Sequence, residues 1–286
     1  MRAALLQWYP QTFSVGQGPI AVAFDGSNIW TANYYAETVT EVQASSGALV
    51  GTYSVGEEPL GLAFDGANMW VANSYSGTVT KLQVSNGAVI GTYAAGSDPA
   101  GLAFDGVNIW VTNAANPGTV TKILASTGAV IGTYAAGANP YEIAFDGTHI
   151  WVVNSANAGT VTELLASTGA IIASYSLYNP GAIAFDGANM WITLGNGTVT
   201  VLAAATGTGV ATYVVATPTA IAFDGTNMWI TNGGYPNPTV TKMLASTGAV
   251  LGTYPVGVSP LGIAYDGTSM WIANNSSNTV TRITAN

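Results

Sequence analysis

Residues 57–96 read EEPLGLAFDGANMWVANSYSGTVTKLQVSNGAVIGTYAAG, with four short apolar runs set between turn residues. The first, LGLAFDG, follows Pro59, placed where a missing N–H does least harm to a strand. NMWVAN, TVTKLQV and AVIGTYAA follow. Val, Ile, Thr, Tyr and Trp dominate, and no window carries a 3.6-residue apolar period. The stretch therefore predicts four strands, a to d, and no helix. Asp-Gly between a and b suits a tight hairpin, glycine supplying a positive φ and Asp bonding nearby backbone. Ser-Asn-Gly does the same between c and d. The aspartates are read as turn formers. The Asn ending strand b (Asn33, Asn73, Asn113, Asn154, Asn232, Asn274) is read as a loop cap, replaced once by Leu194.

The unit recurs. Its tryptophans are Trp30, Trp70, Trp110, Trp151, Trp191, Trp229 and Trp271, spaced by 40, 40, 41, 40, 38 and 42 residues. Four-stranded units repeating at about 40 residues mark a β-propeller, one unit to a blade. The expectation is an all-β fold: a single seven-bladed β-propeller, four antiparallel strands per blade, spanning 1–286 as one domain. Phe of strand a, Trp of b and Tyr of d are expected to fill the space between blades. Ahead of the first Pro-initiated strand, TFSVGQGP copies GTYSVGEEP, with Phe13 at the Tyr53 position. The chain ends TVTRITAN, a strand c with no d after it. The N-terminal strand is thus expected to close the last blade, which removes an open edge.

Composition narrows the function classes. Only 7% of residues are charged, against about a quarter in ordinary chains. Seven of the fourteen acidic residues are the repeated Asp of FDG or YDG, so the surface is expected to be mainly Thr, Ser, Asn, Gly and Ala. Five Lys plus Arg make no basic patch, which argues against nucleic acid and anionic membrane surfaces as partners. Apolar runs fall short of the roughly 18 residues needed to span a bilayer, so no membrane insertion is expected. With no cysteine, disulfides and thiolate chemistry are excluded. The run in MRAALLQWYP is too short for a signal peptide and reads as the start of a mature or excised domain. A weakly charged Thr/Asn/Ser surface suits an exported protein, so the expected location is extracellular, cell-surface or periplasmic, as a monomer or part of a larger chain.

The Pro-x-Gly start (Pro59–Gly61, Pro99–Gly101), the Trp-Val-x-Asn strand (Trp70–Asn73, Trp151–Asn154) and the Thr-Val-Thr strand (Thr78–Thr80, Thr160–Thr162) carry a resemblance. Covering nearly the whole chain, it is to the YVTN-type repeats of bacterial and archaeal surface proteins. The wider set includes the NHL propellers and the propeller of streptogramin (virginiamycin) B lyase. The resemblance implies the propeller fold; the lyase would imply a magnesium-assisted elimination with a histidine base. This chain has one histidine, His149, in a turn on the expected bottom face, so no lyase residue carries over.

In a repeat protein the shared positions are structural, so the private residues are the ones to inspect for function, set against the alternative that loops simply vary and are polar. In such propellers the d–a and b–c loops share one face, the top, and strand a lines the central channel. Beyond the repeating strand-d tyrosines, Tyr265 replaces a repeat Phe and Tyr9 lies near the N-terminus. The remaining Tyr34, Tyr35, Tyr75, Tyr141, Tyr178 and Tyr235 fall in top loops or at the start of strand a. Glu37, Glu57, Glu58, Asp98 and Glu142 map there too. Glu41 and Glu163 instead share a strand-c site with Lys81, Lys122, Lys242 and Arg282, read as a solvated outer rim.

Glu142 is the sharpest departure, because six sister blades have Ala21, Gly61, Gly101, Ala182, Ala220 and Gly262. A carboxylate forced into tight apolar packing costs several kcal/mol, so Glu142 is expected in a wet channel mouth. There it would be the main polar contact of a top-face site, for a sugar hydroxyl, an amine or a hard cation such as calcium. The expected function is a non-catalytic binding propeller recognising a glycan, peptide or protein through tyrosines, which give large contact area at low entropy cost. The alternatives are a structural spacer of a larger surface protein, or a lyase or hydrolase with its site at the channel mouth.

Overall fold

Each Asp-Gly turn does what its chemistry demands. Asp25 Oδ1 accepts the N–H of Ser27 at 2.8 Å and of Asn28 at 2.7 Å, while Gly26 takes φ 99°. Strand a thereby folds back onto strand b. Oδ2 of the same residue accepts Trp30 Nε1–H at 2.7 Å, and all seven blades repeat that bond at 2.7–2.8 Å. A buried indole needs a partner for its N–H, and the turn supplies one. Burial pushes the Asp65, Asp105, Asp146, Asp186 and Asp224 carboxyls up, but the Trp and backbone N–H donors outweigh it. All five end below the usual carboxylate range.

The computed structural model describes residues 10–156 and 158–285. They form seven four-stranded antiparallel sheets in the order a-b-c-d. Blade 1 comprises Pro19–Phe24, Asn28–Asn33, Thr38–Gln43 and Leu49–Ser54. In blade 7, strands a to c are Pro260–Tyr265, Ser269–Asn274 and Thr279–Thr284, and the fourth strand is Gln11–Ser14. Gln11 pairs with Arg282 and Ser14 with Thr279, and Phe13 stacks on Trp271 at 5.5 Å. Tyr9 lies outside the described residues. Among the described residues the one helical turn is Asn275–Ser277, and no helix is long and apolar enough to cross a membrane.

The core lies between blades. Trp70, Ala72 and Val79 of blade 2 pack with Ile109, Val111 and Ile123 of blade 3, and six similar clusters complete the ring. All seven repeat tryptophans are fully buried. Tyr of strand d stacks beside the Trp of its own blade, as Trp30 and Tyr53 do at 5.5 Å. The outer face of that ring rests on a turn glycine of the next blade, Gly87 for Tyr53, where any Cβ would collide.

One expectation is overturned here. The charged strand-c residues are not a solvated rim: Glu41 is 1% exposed, Glu163 4% and Lys122 7%. Strand register sets them directly opposite the tryptophans (Trp30 with Glu41, Trp70 with Lys81, Trp110 with Lys122), on the face buried against the next blade. Lys81 and Lys122 lie 5.1 and 4.9 Å from the centroids of Trp70 and Trp110, and each donates to a carbonyl of the following blade at 2.7 Å. Lys242 and Arg282 do likewise to Ala285 and Ala44. Where the residue is Glu, its partners lie in its own blade. Glu41 accepts Tyr53 O–H at 2.7 Å and an Asn28 amide N–H at 2.8 Å, and Glu163 accepts Tyr175 O–H at 2.7 Å. Burial pushes the Glu41 carboxyl up, with the Tyr53 bond working against it. A charge in this layer is tolerated because hydrogen bonds replace its lost hydration.

Candidate functional site at the channel mouth

Strand a is the inner edge of every blade, paired on one side only, so its free backbone edge faces the axis. The residue before each strand-a Pro takes a left-handed conformation, φ 44° to 68°, in all seven blades. Its carbonyl accepts an N–H of the neighbouring b–c loop, as Glu58 does from Ser74 and Asn139 from Ser155, both at 2.9 Å. That backbone bond ties the two top loops of each blade junction together. Gly, Asn and Asp tolerate the conformation best, which suits Gly18, Asp98, Asn139 and Asn179, whereas Glu58, Thr217 and Ser259 adopt it against their preference.

Around the axis the strands enclose a cavity of about 240 Å³, lined from all seven blades. Its mouth is bounded by Ile20, Leu60, Ala100, Tyr141, Gly181, Thr219 and Leu261. The next layer holds Glu142 and its six small sister residues. Three of those have to be glycine: a Cβ on Gly61, Gly101 or Gly262 would collide with the carbonyl oxygen of Ala100, Tyr141 or Ile20 on an adjacent blade. Smallness there is a packing requirement in those three blades. Glu142 is the one charged side chain among the lining residues. Burial pushes its carboxyl up to about 7, with the Ile143 N–H working the other way.

The mouth also gathers aromatics. Tyr141, next to Glu142, has its phenol pushed up to about 12 by burial, then by the Glu142 charge and by Tyr34. Tyr34 comes from blade 1, across the ring from blade 4. Its own phenol is raised to about 12 by burial and by a hydrogen bond to Glu58. Tyr35 meets Tyr34 edge-on at 5.0 Å, and its ring covers Gly18, where a Cβ would not fit. The structure thus groups Tyr34, Tyr35 and Glu58 on the top loops, with Tyr34 near enough for Tyr141 to feel its charge, and sets Tyr141 and Glu142 at the channel itself. It does not bring in Tyr75, Tyr178 or Tyr235, which stand 73%, 63% and 89% exposed on separate top loops. Glu57 and Asp98 are likewise exposed and separate.

A groove of about 360 Å³ beside the mouth was not read from the sequence. Tyr141, Ser155, Asn179, Thr193 and Gly195 line it. It exists because the b–c connection of blade 5, between Leu194 and Thr198, is the shortest of the seven. The 38-residue spacing and the Leu194 departure were its signals. Tyr141 forms a wall common to groove and channel. His149, the first residue of strand b at the opposite end of the blade, sits 3.2 Å from Asp146 and 3.5 Å from Glu163 and takes no part in the mouth. Among the described residues no group of three or more His, Asp or Glu side chains is arranged to hold a metal ion.

Neither a protein-family model nor a curated protein matches the sequence. Among solved structures, a chain of Kuenenia stuttgartiensis hydrazine synthase is similar, with a TM-score of 0.83 and 19% identity. The match covers 94% of this chain and 96% of that one. At that identity the likeness establishes the architecture alone. As 1606 chains of solved structures match, the scaffold is too widely shared to select an activity. The chain is a seven-bladed β-propeller, an architecture compatible with a binding or a structural role.

Proposed function

We propose that this chain is a non-catalytic binding propeller that recognises a glycan, peptide or protein on its top face, centred on the channel mouth. The observation that carries the reading is the Tyr141–Glu142 pair. In a mouth otherwise built of aliphatic and small residues, one blade presents an aromatic ring and a carboxylate side by side. The groove next to Tyr141 extends the surface a ligand could occupy. The repeat motifs favour a place among YVTN-type and NHL-like propellers, and the weakly charged composition favours an exported or cell-surface setting. A calcium ion at this site would find a single carboxylate, far short of the six to eight oxygens it needs, so the ligand would have to supply the rest.

A screen of glycans and peptides against the purified protein, with and without Ca²⁺, tests the reading. Tyr141→Ala and Glu142→Ala are each expected to weaken a screened ligand by roughly tenfold or more without lowering the melting temperature below that of the wild type. A ligand whose affinity is unchanged in both variants would remove the mouth from the site.

A further inference from the structure

We infer that the channel mouth takes a primary alkylammonium group, its head on the Glu142 carboxylate and its apolar stem against Ile20, Leu60 and Leu261. The inference rests on the reading that the mouth is the ligand site, and it names the chemistry that site selects.

Glu142 is left without a cation. A carboxylate offers about four acceptor positions, and the Ile143 N–H fills one. No ion pair among the described residues involves it. The positive side chains are committed elsewhere: Lys81, Lys122 and Lys242 to carbonyls of the following blades, and Arg282 to Ala44 and Ser45. The mouth therefore holds an unmatched negative charge in a confined space.

The walls restrict what can bring the matching charge. They are aliphatic or small, and the Thr219 hydroxyl is occupied with the Pro260 carbonyl at 2.6 Å. A sugar ring inserted here would leave most of its hydroxyls unpaired, at a cost for each. An anion would meet the Glu142 carboxylate with no cation beside it. A slender methylene stem ending in an ammonium satisfies both conditions. One N–H meets the carboxylate, and the others face the unpaired backbone edges of the inner strands, which carry carbonyl acceptors. The Tyr141 ring borders the entrance, where an aromatic face favours a cation.

The carboxylate must be ionised to play this part, and burial has moved its titration to about 7. Binding should accordingly strengthen as pH rises through that value, while an alkylammonium remains charged to about pH 10.

The test is calorimetric titration of the full chain with n-butylammonium chloride and with Nα-acetyl-lysine N-methylamide. The neutral control is Nα-acetyl-norleucine N-methylamide. At least one amine is expected to bind at pH 8.5, and roughly tenfold more weakly both at pH 5.5 and in Glu142→Gln. Binding of butylammonium alone identifies a free amine as the source, and binding of the lysine derivative alone identifies a peptide side chain. Equal affinity for the norleucine control, equal affinity in Glu142→Gln, or no binding of either amine overturns the inference. The glycan and peptide screen, run on the same preparation, separates the two levels. A screened ligand sensitive to Tyr141→Ala, with null amine titrations, would sink the alkylammonium and leave the mouth as the binding site. A melting curve for Glu142→Gln that matches the wild type at pH 4 and does not fall below it at pH 5.5 secures its folding.

Discussion

Substituting Glu for Ala or Gly in the second layer of the channel couples that position to pH, and the sign can be worked out. The folded carboxyl titrates at about 7, above its unfolded value. Its contribution to stability is therefore full below the usual carboxylate range and is lost as pH rises through about 7. Glu142→Gln should match the wild type in thermal unfolding at pH 4 and exceed it at pH 8.5, by at most about 3 kcal/mol. Equal stability at both values would mean that the carboxylate is well solvated. The turn aspartates run the other way. With folded pKa values held down, their contribution is present above the usual carboxylate range and disappears as pH falls through the folded value. Asp105→Ala, which strips Trp110 Nε1–H and two backbone N–H groups of their acceptor, should cost about 3 kcal/mol at pH 7 in chemical denaturation and less at pH 2. Glu142 announced itself in the sequence because six aligned copies disagreed with it. The Asp–Trp bond did not, since nothing in a five-residue separation shows that the indole folds back over its own hairpin.

Strands a and c each carry a position where one atom decides the packing. Gly101→Ala sets a methyl against the Tyr141 carbonyl on blade 4. It should destabilise by about 2 kcal/mol or more, whereas Ala220→Gly should cost about 1 kcal/mol through backbone entropy and the loss of one buried methyl. Similar losses for the two would mean that the blades slide apart to make room. On strand c, Lys122→Met keeps the stem over Trp110 but abandons the Ala166 carbonyl, and urea titration should show a loss of about 2 kcal/mol. The four strands and their turns were legible because alternation and Asp-Gly chemistry are local. The burial of the charged layer was misread because Lys and Glu usually mark solvent. The corrective signal was present at Val201, the residue opposite Trp191, where blade 5 fills the same position with a hydrocarbon.

Across the whole ring, closure depends on one short strand. Deleting residues 1–16 removes Gln11–Ser14 and Phe13, exposing strand c of blade 7 and one face of Trp271. Loss of cooperative melting or aggregation is the expected result, and an unchanged transition would show that the ring does not need its seam. The seven-fold plan was readable from a single recurring Trp, since repetition multiplies a weak local signal. The groove by blade 5 and the convergence of Tyr34 on Tyr141 were not, because they depend on loops from different blades meeting in space. The seam's register has a mechanical meaning as well. Gln11 lies opposite Arg282 and Ser14 opposite Thr279, so the chain enters and leaves at the same end of the pair. Tension applied through the two ends would peel the rungs apart one at a time, with no set of them loaded together in shear. Optical-tweezer pulling from the termini should open the ring at a lower force than pulling between handles placed in the b–c loops of blades 2 and 5, so a load-bearing attachment through its ends would make this ring a release catch.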